Sequence, residues 1–302
     1  MVLPRAASSA TWLTRTLQGM ADSWKVLTFG LPFISNSTTL TVGRRVLRLH
    51  QWSGISVGSG GHLWGGSRRL VNYLEAHGDG SPALQSADGE STGAHAVTSR
   101  PLLGLTLLEL GSGTGGAGLA AALLGAEVTL SDQASFIYPA SVERGSPERT
   151  LLDLARLNVE RNTAMLLSCA LAEAATVSCA ITGPSAPEPI APILPVPLPA
   201  VARLLWGDAN DHAKLPHAKY DIIAGADLLL FTGAHEGLLR TLRELSSAST
   251  VVLIEHTDRG NGTLDWPCDL LHFLDLVAAE GLWRPTVVRD LGRHITIRMV
   301  YA

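Results

Sequence analysis

Residues 107–118, LLELGSGTGGAG, carry a short apolar run directly into a segment with five glycines. Such a run is strand-like, and glycines follow a strand where the backbone turns sharply and passes close to another group. The stretch that comes next, GLAAALLGA, reads as an Ala/Leu helix ended near Gly125. A strand, a glycine turn and a helix in this order open a βαβ unit, whose ligand lies at the carboxyl end of the strand. The spacing G-x-G-x-x-G occurs twice, at Gly111, Gly113, Gly116 and at Gly113, Gly115, Gly118.

The same alternation continues along the chain. EVTLS (127–131) is a second strand, followed by Asp132, and RTLLDLARLNVERN (149–162) has apolar residues at helical intervals. VARLLW (201–206), YDIIAGA (220–226) and TVVLIEH (250–256) are further apolar strands, accompanied by helices over 235–245 and 268–282. TVVRD and ITIRMVYA close the chain, with so few residues between them that they can only be antiparallel neighbours. The expectation is an α/β fold: an open, mostly parallel, Rossmann-like sheet with an antiparallel C-terminal strand and helices on both faces. Ahead of it, residues 38–49 read as a hairpin around Gly43, and HLWGGSRRLVNYLEAH (62–77) as a helix. Seven prolines in residues 184–199 exclude ladder or helix there, so an extended insertion is expected. The domain organisation is an N-terminal extension and short hairpin over 1–60, then one domain over 61–302 with the proline-rich insertion at about 164–200.

Bulk properties restrict the partners. A net charge of −4 supplies no broad basic field, which argues against nucleic acid. No apolar run approaches the roughly 20 residues of a membrane helix, so no membrane partner is expected. Three cysteines without C-x-x-C spacing and ten histidines without H-x-x-x-H spacing point to no metal and to a reducing, cytoplasmic location. The first 21 residues lack acids and are rich in Ala, Ser and Thr, which leaves a mitochondrial transit segment as the alternative.

Two acids bear on the ligand. Asp132 ends the second strand, where a carboxylate accepts hydrogen bonds from both ribose hydroxyls of either NAD or S-adenosylmethionine. Glu109 stands just before the glycine turn, where a pyrophosphate would meet an unwelcome anion. S-adenosylmethionine has no phosphate and carries a cationic amino group and a sulfonium, which such a carboxylate favours directly or by fixing the loop.

LELGSGTGGAGLAAALLGAEVTLSD, LLWGD and YDIIAGADLL resemble the class I, seven-β-strand methyltransferases. Within them the chain is most similar to the protein-lysine methyltransferases of the methyltransferase-like 21 type, over roughly residues 60–135 and 150–300. The early Leu63-Trp64 pair and the asparagine-bearing helix around Asn158 share the pattern. The resemblance implies a seven-stranded sheet, S-adenosylmethionine as cofactor and a protein side-chain amine as methyl acceptor. It further implies that Trp64, the Gly111–Ser112–Gly113 turn, Asp132, Trp206 and Ala226 contact the cofactor. Trp206 offers an indole face to an adenine. Asp208 either reaches the adenine amino group or is a turn acid.

The pattern breaks after YDIIAGA. Relatives carry an acid, two apolar residues and a tyrosine, whereas this chain reads Asp227-Leu228-Leu229-Leu230. The acid is kept and becomes the expected catalytic residue, orienting an ammonium; the tyrosine hydroxyl is gone. A small-molecule or nucleic-acid acceptor, or a non-catalytic adaptor with the same fold, are the alternatives.

Overall fold

The computed structural model describes residues 34–53, 60–77, 101–134, 136–138, 149–180, 197–258 and 270–302. The N-terminal 33 residues, residues 78–100 and most of the proline-rich stretch lie outside them.

Strands β1 (Ile34–Val42) and β2 (Arg45–Ser53) form the expected hairpin around Gly43, longer than its sequence signal. Helix α1 (Gly65–His77) leads to β3 (Thr106–Leu110), α2 (Gly116–Leu123), β4 (Glu127–Asp132) and a small β5–β6 pair (Phe136–Tyr138, Arg149–Thr150). Then come α3 (Leu151–Ala180), β7 (Ala200–Arg203), the short α4 (Ala209–His212), β8 (Tyr220–Ala226) and two single 3₁₀ turns. Helix α5 (His235–Leu245), β9 (Ser246–Thr257), α6 (Leu270–Glu280), β10 (Trp283–Asp290) and β11 (His294–Tyr301) complete the chain. Among the described residues no helix is long and apolar enough to cross a membrane.

The main sheet has the order β10-β11-β9-β8-β3-β4-β7. The strands from β9 to β7 pair in parallel, and β11 is antiparallel to both β9 and β10. This is the Rossmann-like, seven-stranded arrangement expected. Alternation along the strands feeds two cores. Leu107, Ile222, Ala224, Val251 and Leu253 face α1, α2 and the hairpin, whose Leu40, Val42, Leu47 and Leu49 belong to the same cluster. Leu108, Leu110, Ile223, Val252 and Ile254 face α5 and α6. Glu109 and Glu255 keep the phase of the first set, so two acids point into a layer that is otherwise apolar.

Some boundaries differ from expectation, each for a local reason. Helix α3 continues to Ala180 instead of ending near 162, through a stretch with six alanines, the best helix former. It thereby occupies the first part of the segment assigned to the insertion. Strand β7 runs to Arg203, Leu204 N–H makes the last bond to β4, to Asp132 O at 2.8 Å, and Leu205 N–H then leaves the ladder for the buried Asp211 carboxylate at 3.0 Å. Helix α1 begins at Gly65 and not His62, because the Gly61 carbonyl accepts Trp52 N–H at 2.9 Å and, with Leu63 N–H donating to the Gln51 side chain at 2.8 Å, ties this segment to β2.

Candidate functional site

The glycine turn between β3 and α2 is built from residues only glycine suits. Gly111, Gly113 and Gly115 have φ of +59°, +49° and +74°, in the left-handed region. Space gives the same answer. A Cβ on Gly113 would collide with the Gly60 carbonyl, and one on Gly116 would lie 2.5 Å from the Leu63 side chain. The segment ahead of α1 therefore lies directly against the turn. Ser112 N–H donates to Ser131 O at 2.9 Å, and Gly113 N–H to Asp132 Oδ2 at 2.8 Å, tying the turn to the end of β4. The Ser112 hydroxyl is buried and has no hydrogen-bond partner among the described residues. A buried polar atom in that condition is a place where a ligand completes the site.

Glu109 is 3% exposed, and its Oε2 accepts Gly118 N–H at 2.9 Å across the first turn of α2. Burial pushes its carboxyl up to about 8, opposed by the Gly118 and Ala117 N–H groups and assisted by the negative charge of Asp132. Burial likewise raises Asp132 to about 6 against the Gly113 and Gln133 N–H groups. A cation placed here restores the ionised forms.

Trp206 and Ala226 stand at the carboxyl ends of β7 and β8, on the same edge as the turn. Trp206 follows β7 in the turn with Gly207, whose N–H donates to Thr241 of α5 at 2.7 Å. A Cβ on Gly111 would meet Trp206 Cζ2 at 3.8 Å and Leu228 Cδ2 at 3.1 Å, so indole, leucine and turn converge on one point. Ala226 ends β8 beside Gly66 of α1, 3.3 Å from where a Gly66 Cβ would stand. Trp64 is 45% exposed and meets the His62 ring edge-on, with centroids 6.1 Å apart. Asp208 caps α4, its Oδ1 accepting Asn210 N–H at 2.8 Å.

Asp227 follows β8 in the left-handed region, at φ +55°. Its N–H donates to Glu255 O at 2.7 Å, and its Oδ1 accepts Thr257 N–H at 2.9 Å. Leu228 and Leu229 are buried, and Leu230 and Phe231 lie nearer the surface. Leu228 packs against the glycine turn, 3.1 Å from where a Gly111 Cβ would stand, and Leu229 belongs to the core under α5 and α6.

Sequence reasoning missed Arg69, Glu255 and Thr257 around Asp227. The signal was an acid inside the apolar run TVVLIEH, which demands a cation when the strand is buried.

The raised carboxyls have a measurable consequence. A carboxyl whose folded pKa exceeds its unfolded value stabilises the fold at low pH, and that contribution is lost as pH rises through the folded pKa. For Glu109 the window runs from about 4.5 to about 8. We expect the ligand-free protein to lose stability across it, and Glu109→Gln to gain relative to wild type as pH rises. The gain has an upper bound of roughly 5 kcal/mol, at about 1.4 kcal/mol per pKa unit. Denaturant melts of both proteins at pH 5, 6.5 and 8 measure it, and a difference independent of pH would contradict it.

Residues 44–141 match the lysine methyltransferase family. Protein N-lysine methyltransferase METTL21A of Danio rerio is 31% identical over 153 residues, 51% of this chain and 50% of that protein. The Mus musculus METTL21A is 29% identical over the same shares. The match thus spans about half the length of these curated relatives. Among solved structures, magnesium protoporphyrin IX methyltransferase from Synechocystis PCC 6803 with bound SAH has 14% identity and a TM-score of 0.39, covering 78% of this chain and 82% of that one. A TehB-like SAM-dependent methyltransferase from Corynebacterium glutamicum has 14% identity and a TM-score of 0.39, covering 77% and 97%.

Proposed function

We propose that this chain is an S-adenosylmethionine-dependent methyltransferase acting on a protein lysine, the reading its similarity to the lysine methyltransferases favours. The observation that carries it is the glycine cradle, with the partnerless Ser112 hydroxyl beside two buried carboxylates of raised pKa. A cradle of this kind suits a cationic ligand without phosphate. In this reading Gly111, Ser112 and Gly113 receive the methionine portion, and Asp132 the ribose hydroxyls. Trp206 borders the adenine, Ala226 contacts the cofactor at the end of β8, Trp64 closes the pocket from the α1 side, and Glu109 fixes the turn and balances positive charge. When bound, the cofactor supplies an electrophilic methyl group on a sulfonium.

The chain's own residues then align the acceptor and remove its water. A lysine has an unperturbed pKa of about 10.4 and must reach the methyl as the neutral amine. Asp227 orients the ammonium, and apolar walls lower its pKa by excluding water. Alignment and desolvation are the main contributions a protein makes to a direct displacement. The absent tyrosine hydroxyl favours, as a second reading, an acceptor that needs no such donor. Three cysteines without paired spacing support a cytoplasmic location.

Calorimetry with S-adenosylmethionine, S-adenosylhomocysteine and NAD tests the cofactor, and labelled donor in a cell lysate tests the acceptor. We expect binding of the first two alone, with proton release at pH 7 on binding the sulfonium, and label in protein. NAD binding without S-adenosylmethionine binding would overturn the reading, and label in small molecules alone would move it to another acceptor class.

A further inference from the structure

We propose that Arg69 and Glu255 are positioning residues that hold Asp227 in its left-handed conformation at the acceptor mouth. The inference rests on the proposed role of Asp227 as the acceptor-side acid.

Glu255 is 1% exposed, near the end of β9, on the face that carries Val251 and Leu253 toward α1. A carboxylate buried among apolar side chains requires full compensation. Its Oε1 accepts Arg69 Nε from α1, and its Oε2 accepts the Thr296 hydroxyl from β11 at 2.6 Å. The same guanidinium reaches two residues further, donating from Nη2 to Thr257 Oγ1 at 2.8 Å. Arg69 thus spans Glu255 and Thr257, successive residues on one face of the strand, and pins the last turn of β9 to a helix.

These are the two residues whose backbone holds Asp227. Glu255 C=O accepts Asp227 N–H, and Thr257 N–H donates to Asp227 Oδ1. Among the described residues Asp227 is the only one other than glycine with positive φ. A conformation of that kind is strained and persists where its surroundings over-determine it. Helix α1 contributes from the other side as well. Gly66 stands one turn before Arg69, and a Cβ there would lie 3.0 Å from Asp227 Oδ2. One helix therefore braces the end of β9 through Arg69 and approaches the carboxylate through Gly66.

A buried ion pair is a poor device for stability, since an apolar pair of the same volume commonly does as well. What an arginine fork adds is direction: it fixes two acceptors at once. The geometry uses that direction to set the Glu255 carbonyl and the Thr257 amide at the spacing Asp227 needs.

The test compares full-length wild type with Arg69→Met, Arg69→Lys and Thr257→Val. Thr257→Val preserves volume and leaves the Arg69–Glu255 pair in place, so it remains informative if Arg69→Met folds poorly. Two readouts are taken well below the melting temperature. The first is amide hydrogen exchange at Asp227 and Thr257 relative to Leu108 in the core; the second is methyl transfer from labelled donor, with kcat and the cofactor KM separated. We expect exchange at the two amides to accelerate about tenfold or more beyond that at Leu108 in Arg69→Met. The same variant should lose about tenfold in kcat with cofactor KM within threefold, and Arg69→Lys should recover part of both. Lower melting temperature with no selective change at the two amides, and unchanged kcat, would overturn the proposal. Selective exchange in a wild-type background that transfers no methyl would sustain the clamp and defeat the proposed function instead.

Discussion

Asp227→Asn should cut methyl transfer to protein by about 100-fold or more while leaving S-adenosylmethionine affinity within a few-fold. The substitution isolates charge because the structure around it is retained. Asparagine is the residue after glycine that best tolerates the left-handed φ of +55°, so the backbone has little reason to move. Its carbonyl oxygen can still accept Thr257 N–H, which Asp227 Oδ1 accepts at 2.9 Å. What disappears is the negative charge proposed to orient the acceptor, where one well-placed electrostatic contact is typically worth a factor of this size. Asp227→Ala would mix this loss with backbone strain and a lost hydrogen bond. Leu230→Tyr, which restores the residue of the relatives, should keep or raise activity if the acceptor is lysine. The assay is transfer of label from the methyl donor to one lysate, with cofactor affinity measured separately by calorimetry. Undiminished transfer by Asp227→Asn would remove the residue from the mechanism.

Asn158→Leu should destabilise the protein by about 3–6 kcal/mol, a large part of the roughly 5–15 kcal/mol that holds a domain folded. Asn158 is fully buried on α3. Its Oδ1 accepts His50 N–H at 2.6 Å, and its Nδ2 donates to His50 O at 3.1 Å and to Thr114 O at 2.9 Å. One helical turn on, Asn162 repeats the pattern on Arg48, accepting its N–H and donating to its carbonyl, each at 3.0 Å. Four residues of helix rise about 6 Å and two residues of strand about 6.7 Å, so the two amides match alternate residues of β2. The helix thereby completes the hairpin edge as a neighbouring strand would, and anchors the glycine turn through Thr114. Leucine preserves volume but leaves three backbone groups unpaired, the Thr114 carbonyl buried and the two of His50 part-buried, at about 1–3 kcal/mol each. Denaturant melts read the loss, and cofactor affinity should fall with it because the turn loses a support. A change below about 1 kcal/mol would mean that water satisfies the edge in place of the amide.

Much of the architecture is local in origin. The short apolar runs and the helical spacing of apolar residues placed β3, β8 and α5, the last two at their observed ends. The glycine turn was legible because positive φ at three positions excludes other residues. Short separation alone forced β10 and β11 to be antiparallel. Of the candidate cofactor residues, Asp132 and Ala226 end strands that the apolar runs mark, whereas Trp64 precedes α1 and only the family resemblance singles it out.

The remainder depends on which segments meet. Nothing in the local pattern says that β11 enters the sheet between β9 and β10, since either order satisfies the same apolar alternation. After β7 the backbone leaves the ladder for a carboxylate that the following turn supplies. Arg69 and Glu255 are 186 residues apart, and Asn158 and His50 are 108 apart. A buried polar group requires a partner, but periodicity carries no information about which distant residue supplies it. By itself, then, this sequence determined the strand–turn–helix units, the sheet class and the glycine cradle, because those follow from backbone sterics and the spacing of apolar residues. Only the tertiary structure decided how Asp227 is held and what ties the hairpin to the turn, because those rest on hydrogen bonds between groups that folding alone brings together.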